Sequence, residues 1–429
     1  MRRLFTRLAP LLLASMATTA NAATPEQTAS QLLDHLQAGD MTAAEAMFTP
    51  EMAKEVPAVR LQGVWEQLGG LKSRGPARVV EQHNMPTVLQ PLQMGAGAFN
   101  VVINVDGQGR VAGLLFLPVQ PAPPPPPPVP ADAPYRESEV QIDSGKGPLP
   151  GTLAMPVGKG PFPAAVLVHG SGPQDRNETI GPNRPFLDVA RGLAAQGIAV
   201  LRYEKRSKVR PQDFSGDFTM DDEITNDAVA AIALLANMPG IEASHLYVIG
   251  HSQGGMLAPR IATRSGKVSG VVLWSAPARS LLDLLPEQNR HLFNLDGQIS
   301  PQEQAVLDRL DKQIAAARSD QPAAPASMPL GLPAHYWRTL EQVNPVADAK
   351  ALSKPILVLH GGRDFQVIDT DWKLWSQALS GTATLHRYDQ LNHLGIAGEG
   401  PGSLEEYNHP GHVDATLIDD VARWIKAQP

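Results

Sequence analysis

A run of prolines divides this chain of 429 residues into two parts. Eight of the ten residues from Pro121 to Pro130 are proline. Proline lacks a backbone N–H and fixes φ, so such a run adopts extended polyproline II at about 3.1 Å per residue. Binding by a proline-reading partner is an alternative, but a spacer is favoured. Residues 118–134 are therefore predicted to be a linker, and each flanking part needs its own core.

Composition limits the classes of protein that this chain can belong to. A hydrophobic content of 43% with 18% charged residues is typical of a globular protein with a large core. The net charge of −7 argues against a general binder of nucleic acids or anionic membranes. The chain has no cysteine, which excludes disulfides, thiolate zinc sites and a cysteine nucleophile.

The first 22 residues have the three parts of a signal peptide. Arg2, Arg3 and Arg7 precede the apolar stretch Leu8–Met16, and Ala20-Asn21-Ala22 is a cleavage site of the A-x-A type. The apolar stretch is too short for a permanent transmembrane helix, and no other stretch is apolar enough for one. We therefore expect an exported protein, periplasmic or secreted, without stable membrane insertion. An ordinary N-terminal helix is the alternative.

Residues 26–117 have the pattern of a small α+β domain. Apolar periodicity predicts helices at 26–36, 41–48 and 59–71, followed by strands at 78–82, 99–105 and 111–117. Asp106–Gly109 predicts a hairpin between the last two strands. This pattern resembles the NTF2-like domains of the DUF3887 type, and by analogy with them a homodimer is possible. His35, His83 and Asp106 could line a pocket, but surface or core roles are favoured.

From Tyr135 onward, short apolar runs alternate with helical patterns. The predicted strands are 138–143, 151–155, 164–169, 198–204, 246–250, 271–275, 356–360 and 384–388. The predicted helices between and after them are 186–196, 222–236, 254–263, 370–379 and 413–426. Continuous apolar runs are typical of parallel strands that are covered on both faces. The fold class predicted for 135–429 is therefore α/β, with a doubly wound, mostly parallel sheet of eight strands.

The hexapeptide Gly250–Gly255, G-H-S-Q-G-G, follows one of these predicted strands and precedes a predicted helix. A serine in so sharp a turn requires neighbours without Cβ atoms, because strand and helix approach closely there. Strand, turn and helix form the context in which G-x-S-x-G indicates a nucleophile, here Ser252. A glycine-rich turn with an incidental serine is the alternative.

An activated serine needs a base and an acid, which follow it in chain order on later loops of such a sheet. The loop after the strand 356–360 contains Asp364, which we predict to be the acid. Asp369 and Asp371 are rivals, but they begin the next helix, where carboxylates commonly serve as caps. Asp364 is therefore the favoured acid.

The base is expected after the last predicted strand, 384–388. His393 lies in the loop that follows it, whereas His409 and His412 lie nearer the final helix. Capping or surface roles account for these two rivals. His393 is therefore predicted to be the general base.

Two backbone N–H groups are needed to stabilise the oxyanion of an acyl-transfer intermediate. One is expected from Gln253, the residue after the nucleophile. The other is expected from Ser171, because His169-Gly170-Ser171-Gly172-Pro173 follows the third predicted strand of this part. Glycines on both sides of Ser171 allow a substrate to approach the backbone.

Four loops, H-G-S-G-P, G-H-S-Q-G-G, H-G-G-R-D and N-H-L-G, occur in the required order. The C-terminal two-thirds of the chain resembles the α/β-hydrolase superfamily, in its serine aminopeptidase and esterase branch. With the N-terminal part, it looks like the group of secreted esterases of the EstD type. Arg202–Ser207 also matches that branch, except that Ser207 stands where glycine is usual. The resemblance implies a triad of Ser252, Asp364 and His393, with Gln253 and Ser171 as oxyanion donors.

An insertion lies between Pro277 and Pro355, before the strand that leads to Asp364. It contains the segment 281–285, a predicted helix at 302–318, a stretch rich in proline and alanine, and the segment 334–340. The resemblance implies that residues 278–354 form a cap over the active site. The side chains expected to contact an acyl or aromatic substrate group are Leu292, Phe293, Tyr336 and Trp337. For each of them, docking of the cap on the core is an equal alternative.

These observations favour an exported serine hydrolase that cleaves carboxylic esters through an acyl-enzyme intermediate. No cofactor is required, and no H-E-x-x-H or similar metal motif is present. A serine peptidase is an alternative, in which Glu204 or Asp175 would receive a substrate α-ammonium group. A non-catalytic envelope binding protein is an alternative of another class. The expected ligand is a small-molecule ester or acyl compound.

Overall fold

The computed structural model describes residues 23–82, 85–119 and 124–429, with only the backbone of Gln82. The chain divides into two compact units, Met1–Ala122 and Pro123–Pro429. This boundary falls inside the proline-rich stretch from which a linker is predicted. The predicted signal peptide and His83 lie outside the described residues.

The first unit contains helices followed by antiparallel strands. The helices are α1 Pro25–Ala38, α2 Met41–Ala46, α3 Pro50–Glu55 and α4 Ala58–Gln67. The strands are β1 Leu71–Arg74, β2 Arg78–Gln82, β3 Met85–Met94, β4 Gly97–Val105 and β5 Val111–Pro118. The predicted hairpin between β4 and β5 is confirmed. Its turn is held by Asp106, whose carboxylate accepts the N–H groups of Gln108 and Arg110, which is a local structural role.

The sequence did not indicate β3, because this strand contains Pro86 and Pro91. β3 pairs with β4 along one edge, whereas its other edge is shared by the short strands β1 and β2. The Pro91 carbonyl accepts from Gly75 N, which lies between β1 and β2. The N–H that Pro91 lacks would therefore face the gap between two short strands, where no ladder partner is lost.

The second unit is built on an eight-stranded sheet in the order β13-β12-β11-β10-β8-β9-β7-β6. Only β7 is antiparallel to its neighbours β6 and β9. The strands are β6 Tyr135–Asp143, β7 Pro148–Pro156, β8 Phe162–Val168, β9 Ala199–Tyr203, β10 Ile241–His251, β11 Gly270–Trp274, β12 Ile356–Gly361 and β13 Thr384–Tyr388. Every predicted strand of this part is confirmed, and β6, β7 and β10 begin three to five residues earlier than predicted.

Helices cover both faces of this sheet. They are α5 Pro185–Ala195, α6 Arg206–Val209, α7 Asn226–Leu235, α8 Gln253–Ser265, α13 Asp369–Ala378 and α14 Ala415–Lys426, and a π-helical turn Asp221–Thr225 leads into α7. The core on one face includes residues of α7 and α8, and the core on the other includes residues of α5 and α14. Strands enclosed in this way are apolar on both sides, which explains their continuous apolar runs.

The residues between β11 and β12 form four helices: α9 Leu281–Phe293, α10 Pro301–Ala317, α11 Ala334–Glu341 and α12 Pro345–Ala351. The helix predicted at 302–318 corresponds to α10. Within the described ranges, no helix combines the length and the apolar character needed to cross a bilayer.

Candidate active site

The turn between β10 and α8 holds Ser252 in a strained conformation. Its φ of 53° and ψ of −121° lie in a region that residues with a side chain rarely occupy. Ser252 N donates to the carbonyl oxygen of Trp274 at 2.9 Å, which ties the turn to β11. Strain of this kind costs on the order of 1–3 kcal/mol and persists only where the surrounding structure enforces it.

The glycines around Ser252 are required by close backbone contacts. A Cβ atom at Gly250 would lie 2.2 Å from the carbonyl oxygen of Gly254. A Cβ atom at Gly254 would lie 2.1 Å from the carbonyl oxygen of Val168 on β8. Real Cβ atoms do not approach so closely, so the three elements can meet here only through glycine. The turn thus has the geometry that the hexapeptide predicts.

Asp364 and His393 are brought together from different loops. His393 Nδ1 is 2.8 Å from Asp364 Oδ2, and both residues are buried. The other oxygen of Asp364 accepts the backbone N–H groups of Gln366 and Val367. Burial raises the pKa of Asp364, but the His393 imidazole and the Val367 N–H outweigh it, so the pKa lies below its ordinary value. A carboxylate so held can orient the imidazole.

The loop that contains His393 also lies against the turn that contains Ser252. The rings of His251 and His393 have their centroids 4.7 Å apart, and His251 Nε2 is 2.9 Å from the carbonyl oxygen of His393. Among the hydrogen bonds of the described residues, none joins Ser252 Oγ to His393 Nε2. Such a contact is often long in a free enzyme and tightens with substrate.

The rival carboxylates have other partners. Asp371 is fully buried, accepts the N–H of Ala278 at 2.9 Å and pairs with Arg279 at 2.6 Å. It therefore anchors the start of the inserted segment. Asp369 pairs with Arg387 at 3.1 Å. Neither of these arrangements involves His393.

The rival histidines lie at the surface. His409 is 3.8 Å from Glu405, and His412 is 3.2 Å from Asp188. Both imidazoles are exposed. The structure therefore pairs the acid with His393 and with neither rival.

The loop after β8 has its peptide groups fixed from two sides. Glu178 Oε1 accepts the N–H of Gly170 at 2.7 Å. Lys205 Nζ donates to the carbonyl oxygens of Gly170 and Gly172, each at 2.9 Å. The C=O and N–H groups of a trans peptide point in opposite directions. The contact of Lys205 with the Gly170 carbonyl therefore sets the direction of the Ser171 N–H.

Gly170 has no room for a side chain. A Cβ atom there would lie 3.1 Å from Ser252 Cβ and 3.2 Å from Glu178 Oε1. The loop therefore passes directly beside the serine turn. Ser171 is exposed, which leaves its backbone accessible to a ligand.

Gln253, the other predicted oxyanion donor, is joined to the inserted segment through its side chain. Its Nε2 donates to the hydroxyl of Tyr336 at 2.8 Å, and both side chains are buried. Burial raises the pKa of Tyr336 far above its ordinary value, and the Glu223 carboxylate raises it further. Glu223 also pairs with Lys205 at 3.0 Å. Tyr336 is thus a buried partner of the Gln253 side chain and not an exposed substrate contact.

The other predicted substrate contacts differ in position. Trp337 is 1% exposed and donates to the carbonyl oxygen of Pro329 at 3.1 Å, which favours the docking alternative. Leu292 is half-buried beside Phe365, Leu394 and Tyr407, the first two of which follow Asp364 and His393 in sequence. Phe293 is half-buried as well. Leu292 therefore packs against residues that adjoin Asp364 and His393.

A shallow groove of about 620 Å³ opens beside α9. Arg290, His291, Ile299 and Pro401 line it, and no predicted triad residue does. The groove therefore does not mark the reacting centre. In the part of the chain that the structure describes, no three His, Cys, Asp or Glu side chains form a metal-binding group.

Three residues of this site had no role assigned from the sequence. They are Glu178, Lys205 and His251, all of which are almost completely buried. His251 lies in the hexapeptide Gly250–Gly255, Lys205 lies in Arg202–Ser207, and Glu178 follows the loop 169–173 closely. Sequence spacing alone does not reveal which of these side chains turn inward. A lysine and a glutamate that are buried must have partners, and these partners lie on other loops.

The profile of a family described as serine aminopeptidase, S33, matches residues 166–399. Esterase EstD from Thermotoga maritima is 35% identical over 406 residues, which cover 93% of this chain and 95% of EstD. The chain belongs to the S33 serine aminopeptidase family of α/β-hydrolases. The prediction of the superfamily and of the α/β fold class is confirmed.

Two solved esterase structures are also similar. The Pyrococcus furiosus esterase PF2001 has a TM-score of 0.46 and 17% identity, over 72% of this chain and 97% of its own. Est1E from Butyrivibrio proteoclasticus, solved with ferulic acid bound, has a TM-score of 0.44 and 18% identity, over 67% of this chain and 98% of its own.

Proposed function

We propose that this protein is an exported serine esterase that hydrolyses small carboxylic esters. The observation that carries the proposal is the buried Asp364–His393 pair, 2.8 Å between Oδ2 and Nδ1, beside the strained turn of Ser252. The likeness to esterase EstD over nearly the whole chain supports an ester rather than another acyl substrate.

In the proposed reaction, Ser252 Oγ attacks the acyl carbon while His393 Nε2 takes its proton. Asp364 holds His393 in the tautomer with a proton on Nδ1 and stabilises the imidazolium that forms. The N–H groups of Gln253 and Ser171 donate to the developing oxyanion, where one such donor is worth about 10²- to 10³-fold in rate. His393 then protonates the leaving alkoxide, and water attacks the acyl-enzyme by the same route.

A peptidase that recognises a free amino terminus is less well supported, because both candidate carboxylates are engaged. Asp175 Oδ1 accepts the N–H groups of Asn177 and Thr179, and its Oδ2 accepts the Thr179 hydroxyl at 2.7 Å. Glu204 pairs with Arg176 at 2.7 Å. An α-ammonium group would have to displace these partners.

One assay tests the proposal and its alternatives. Purified protein is given p-nitrophenyl esters of increasing acyl length and aminoacyl-arylamides, with Ser252→Ala as the matched control. We expect turnover of esters that the substitution abolishes. Faster turnover of arylamides would instead favour a peptidase. If neither substrate reacts and a fluorophosphonate probe does not label Ser252, a non-catalytic binding protein becomes the better hypothesis.

Export and domain layout are part of the proposal. The n-region, apolar stretch and A-x-A site predict cleavage after Ala22. The proposed domains are an NTF2-like domain at 26–117, a linker at 118–134 and the hydrolase at 135–429 with its cap at 278–354. The mass of the mature protein from a secreting host tests the first point: a chain that still begins at Met1 would contradict it. Limited proteolysis tests the second, with first cuts expected between 118 and 134.

A further inference from the structure

A second buried carboxylate–imidazole pair lies beside the proposed triad, and the proposed reaction does not use it. Glu178 is 1% exposed and His251 is 2% exposed. His251 Nδ1 is 2.8 Å from Glu178 Oε2, at an angle short of an ideal hydrogen bond. Burial of two ionisable groups is costly unless each has partners, so their contacts indicate what the pair does.

The contacts of the pair extend to two loops of the site. Glu178 Oε1 accepts the N–H of Gly170, in the loop that contains the proposed oxyanion donor Ser171. His251 Nε2 is 2.9 Å from the carbonyl oxygen of His393, the proposed base. The backbone at Glu178 has a φ of 51°, an unfavourable conformation for a residue with a side chain. That strain is held at the point where the carboxylate reaches Gly170.

The contacts of the pair limit where its protons can lie. A carbonyl oxygen can only accept, so His251 Nε2 must carry a proton towards His393. Because two lone pairs would repel each other at 2.8 Å, the contact between His251 Nδ1 and Glu178 Oε2 requires a proton on one of the two atoms. His251 therefore cannot serve as a base for Ser252 while these contacts persist.

We propose that Glu178 and His251 are positioning residues. They fix the loop of Ser171 and the loop of His393 relative to each other, one on each side of Ser252. The pair touches neither the reacting atoms nor the proposed substrate; it acts through the Gly170 peptide on one side and the His393 backbone on the other. The inference rests on the proposed function, because it assumes that Ser171 and His393 take part in acyl transfer.

Two variants of Glu178 distinguish a positioning role of this side chain from a purely electrostatic one. Glu178→Gln is neutral but keeps the length: its amide oxygen can accept from Gly170 N, and its NH₂ can donate to Nδ1 of a neutral His251. Glu178→Asp keeps the charge but is one methylene shorter, so it cannot reach both partners. Positioning therefore predicts that Glu178→Gln is more active than Glu178→Asp, whereas a purely electrostatic role predicts the reverse order.

The experiment measures kcat and KM for p-nitrophenyl butyrate with each variant, after circular dichroism has verified folding. We expect Glu178→Asp and His251→Ala to lower kcat by about 10- to 100-fold, less than the loss of a whole oxyanion donor. KM should change by less than about 3-fold, because misplaced oxyanion donors weaken mainly the transition state. Glu178→Gln should stay within about 5-fold of wild type in kcat by the same reasoning.

Asp420→Asn is the matched control. Asp420 is another buried carboxylate beside an imidazole, 3.0 Å from His386 Nδ1, and it also accepts the Tyr388 hydroxyl. This substitution should lower stability without lowering kcat. Equal losses of kcat in Asp420→Asn and Glu178→Asp would overturn the positioning role, as would a folded Glu178→Asp with wild-type kcat. Should Glu178→Asp fail to fold, His251→Ala alone decides by the same kcat criterion.

Failure of this inference is distinguishable from failure of the proposed function. Ser252→Ala serves as the reference in the same assay. If Ser252→Ala retains turnover, the proposed nucleophile is wrong. If Ser252→Ala is inactive while Glu178→Asp and His251→Ala keep wild-type kcat, only the role of the Glu178–His251 pair is refuted.

Discussion

Two carboxylate–imidazole pairs lie side by side in the second unit, and they resemble each other closely. Asp364 meets His393 and Glu178 meets His251, each with 2.8 Å between a carboxylate oxygen and Nδ1. None of the four side chains is more than 5% exposed. Chemistry of the two groups alone would not distinguish a catalytic pair from a structural one.

The third contact distinguishes them. His251 Nε2 is occupied by the His393 carbonyl. For the described residues, no comparable hydrogen bond is made by His393 Nε2, which leaves it for Ser252. The two pairs also differ in the hydrogen-bond partners of the second carboxylate oxygen. Asp364 uses it to fix its own loop, whereas Glu178 uses it to fix the loop of Gly170. The roles proposed for His393 and His251 thus differ because only the second nitrogen of His251 has a hydrogen-bond partner among the described residues.

The largest effect is expected when the free Nε2 is removed. His393→Ala should lower kcat for ester hydrolysis by about 10⁴- to 10⁶-fold, because the proposed base is lost and the neighbouring His251 Nε2 is engaged with the backbone carbonyl of residue 393. His251→Ala should cost far less. Steady-state kinetics with p-nitrophenyl butyrate measure both, and a larger loss in His251→Ala would reverse the assignment of the two histidines.

Replacement of the acid that orients the base should have the next largest effect. Asp364→Asn keeps the size of the side chain but favours the wrong tautomer of His393, so kcat should fall by about 10⁴-fold. The equivalent change in the other pair, Glu178→Gln, should lower kcat by about 5-fold or less, because glutamine keeps the contact with Gly170 N. Single-turnover acylation rates provide the measurement. Equal losses for the two amides would show that the pairs are not functionally distinct.

The stability of the second pair should depend on pH in a defined window. Burial raises the pKa of Glu178, but His251 outweighs it and the pKa is lowered; burial lowers the pKa of His251, but Glu178 outweighs it and the pKa is raised. Groups facing His251 also include the ring of His393 and the more distant Asp364. A lowered acid pKa stabilises the fold above the unfolded value of about 4.3, and a raised histidine pKa stabilises it below about 6.5.

The difference in unfolding free energy between wild type and Glu178→Gln should therefore be greatest near pH 5–6, on the order of 1–3 kcal/mol. It should shrink at acid pH, as Glu178 takes up a proton, and at alkaline pH, as His251 loses one. Urea unfolding at several pH values measures the difference. A difference that does not vary with pH would mean that the pair is not ionised.

The smallest effect is expected at the surface histidines. His409→Ala and His412→Ala remove exposed imidazoles whose ion pairs are screened by solvent. Each variant should keep kcat within about 2-fold of wild type, as is usual for surface substitutions. A loss of 100-fold or more in either would place that histidine in the reaction and weaken the case for His393.

Local sequence patterns were sufficient to predict the strands of the second unit. All of its strands were predicted, and the clearest were central ones such as β9, β11 and β12, because strands covered on both faces are short, apolar and bounded by turns. The first unit was harder to predict. β3 was missed because its two prolines argue against a strand, and only the split pairing of β1 and β2 along its edge makes Pro91 acceptable there.

The sequence by itself determined the strand–turn–helix around Ser252 and the order of the acid and base loops, because both follow from local backbone geometry and chain order. The tertiary structure decided which of three carboxylates meets His393. It also decided that Tyr336 bonds to Gln253, and that Glu178 and His251 join two loops. These contacts link residues that are distant along the chain. Their partners depend on which side chains turn inward together, and no local pattern records that.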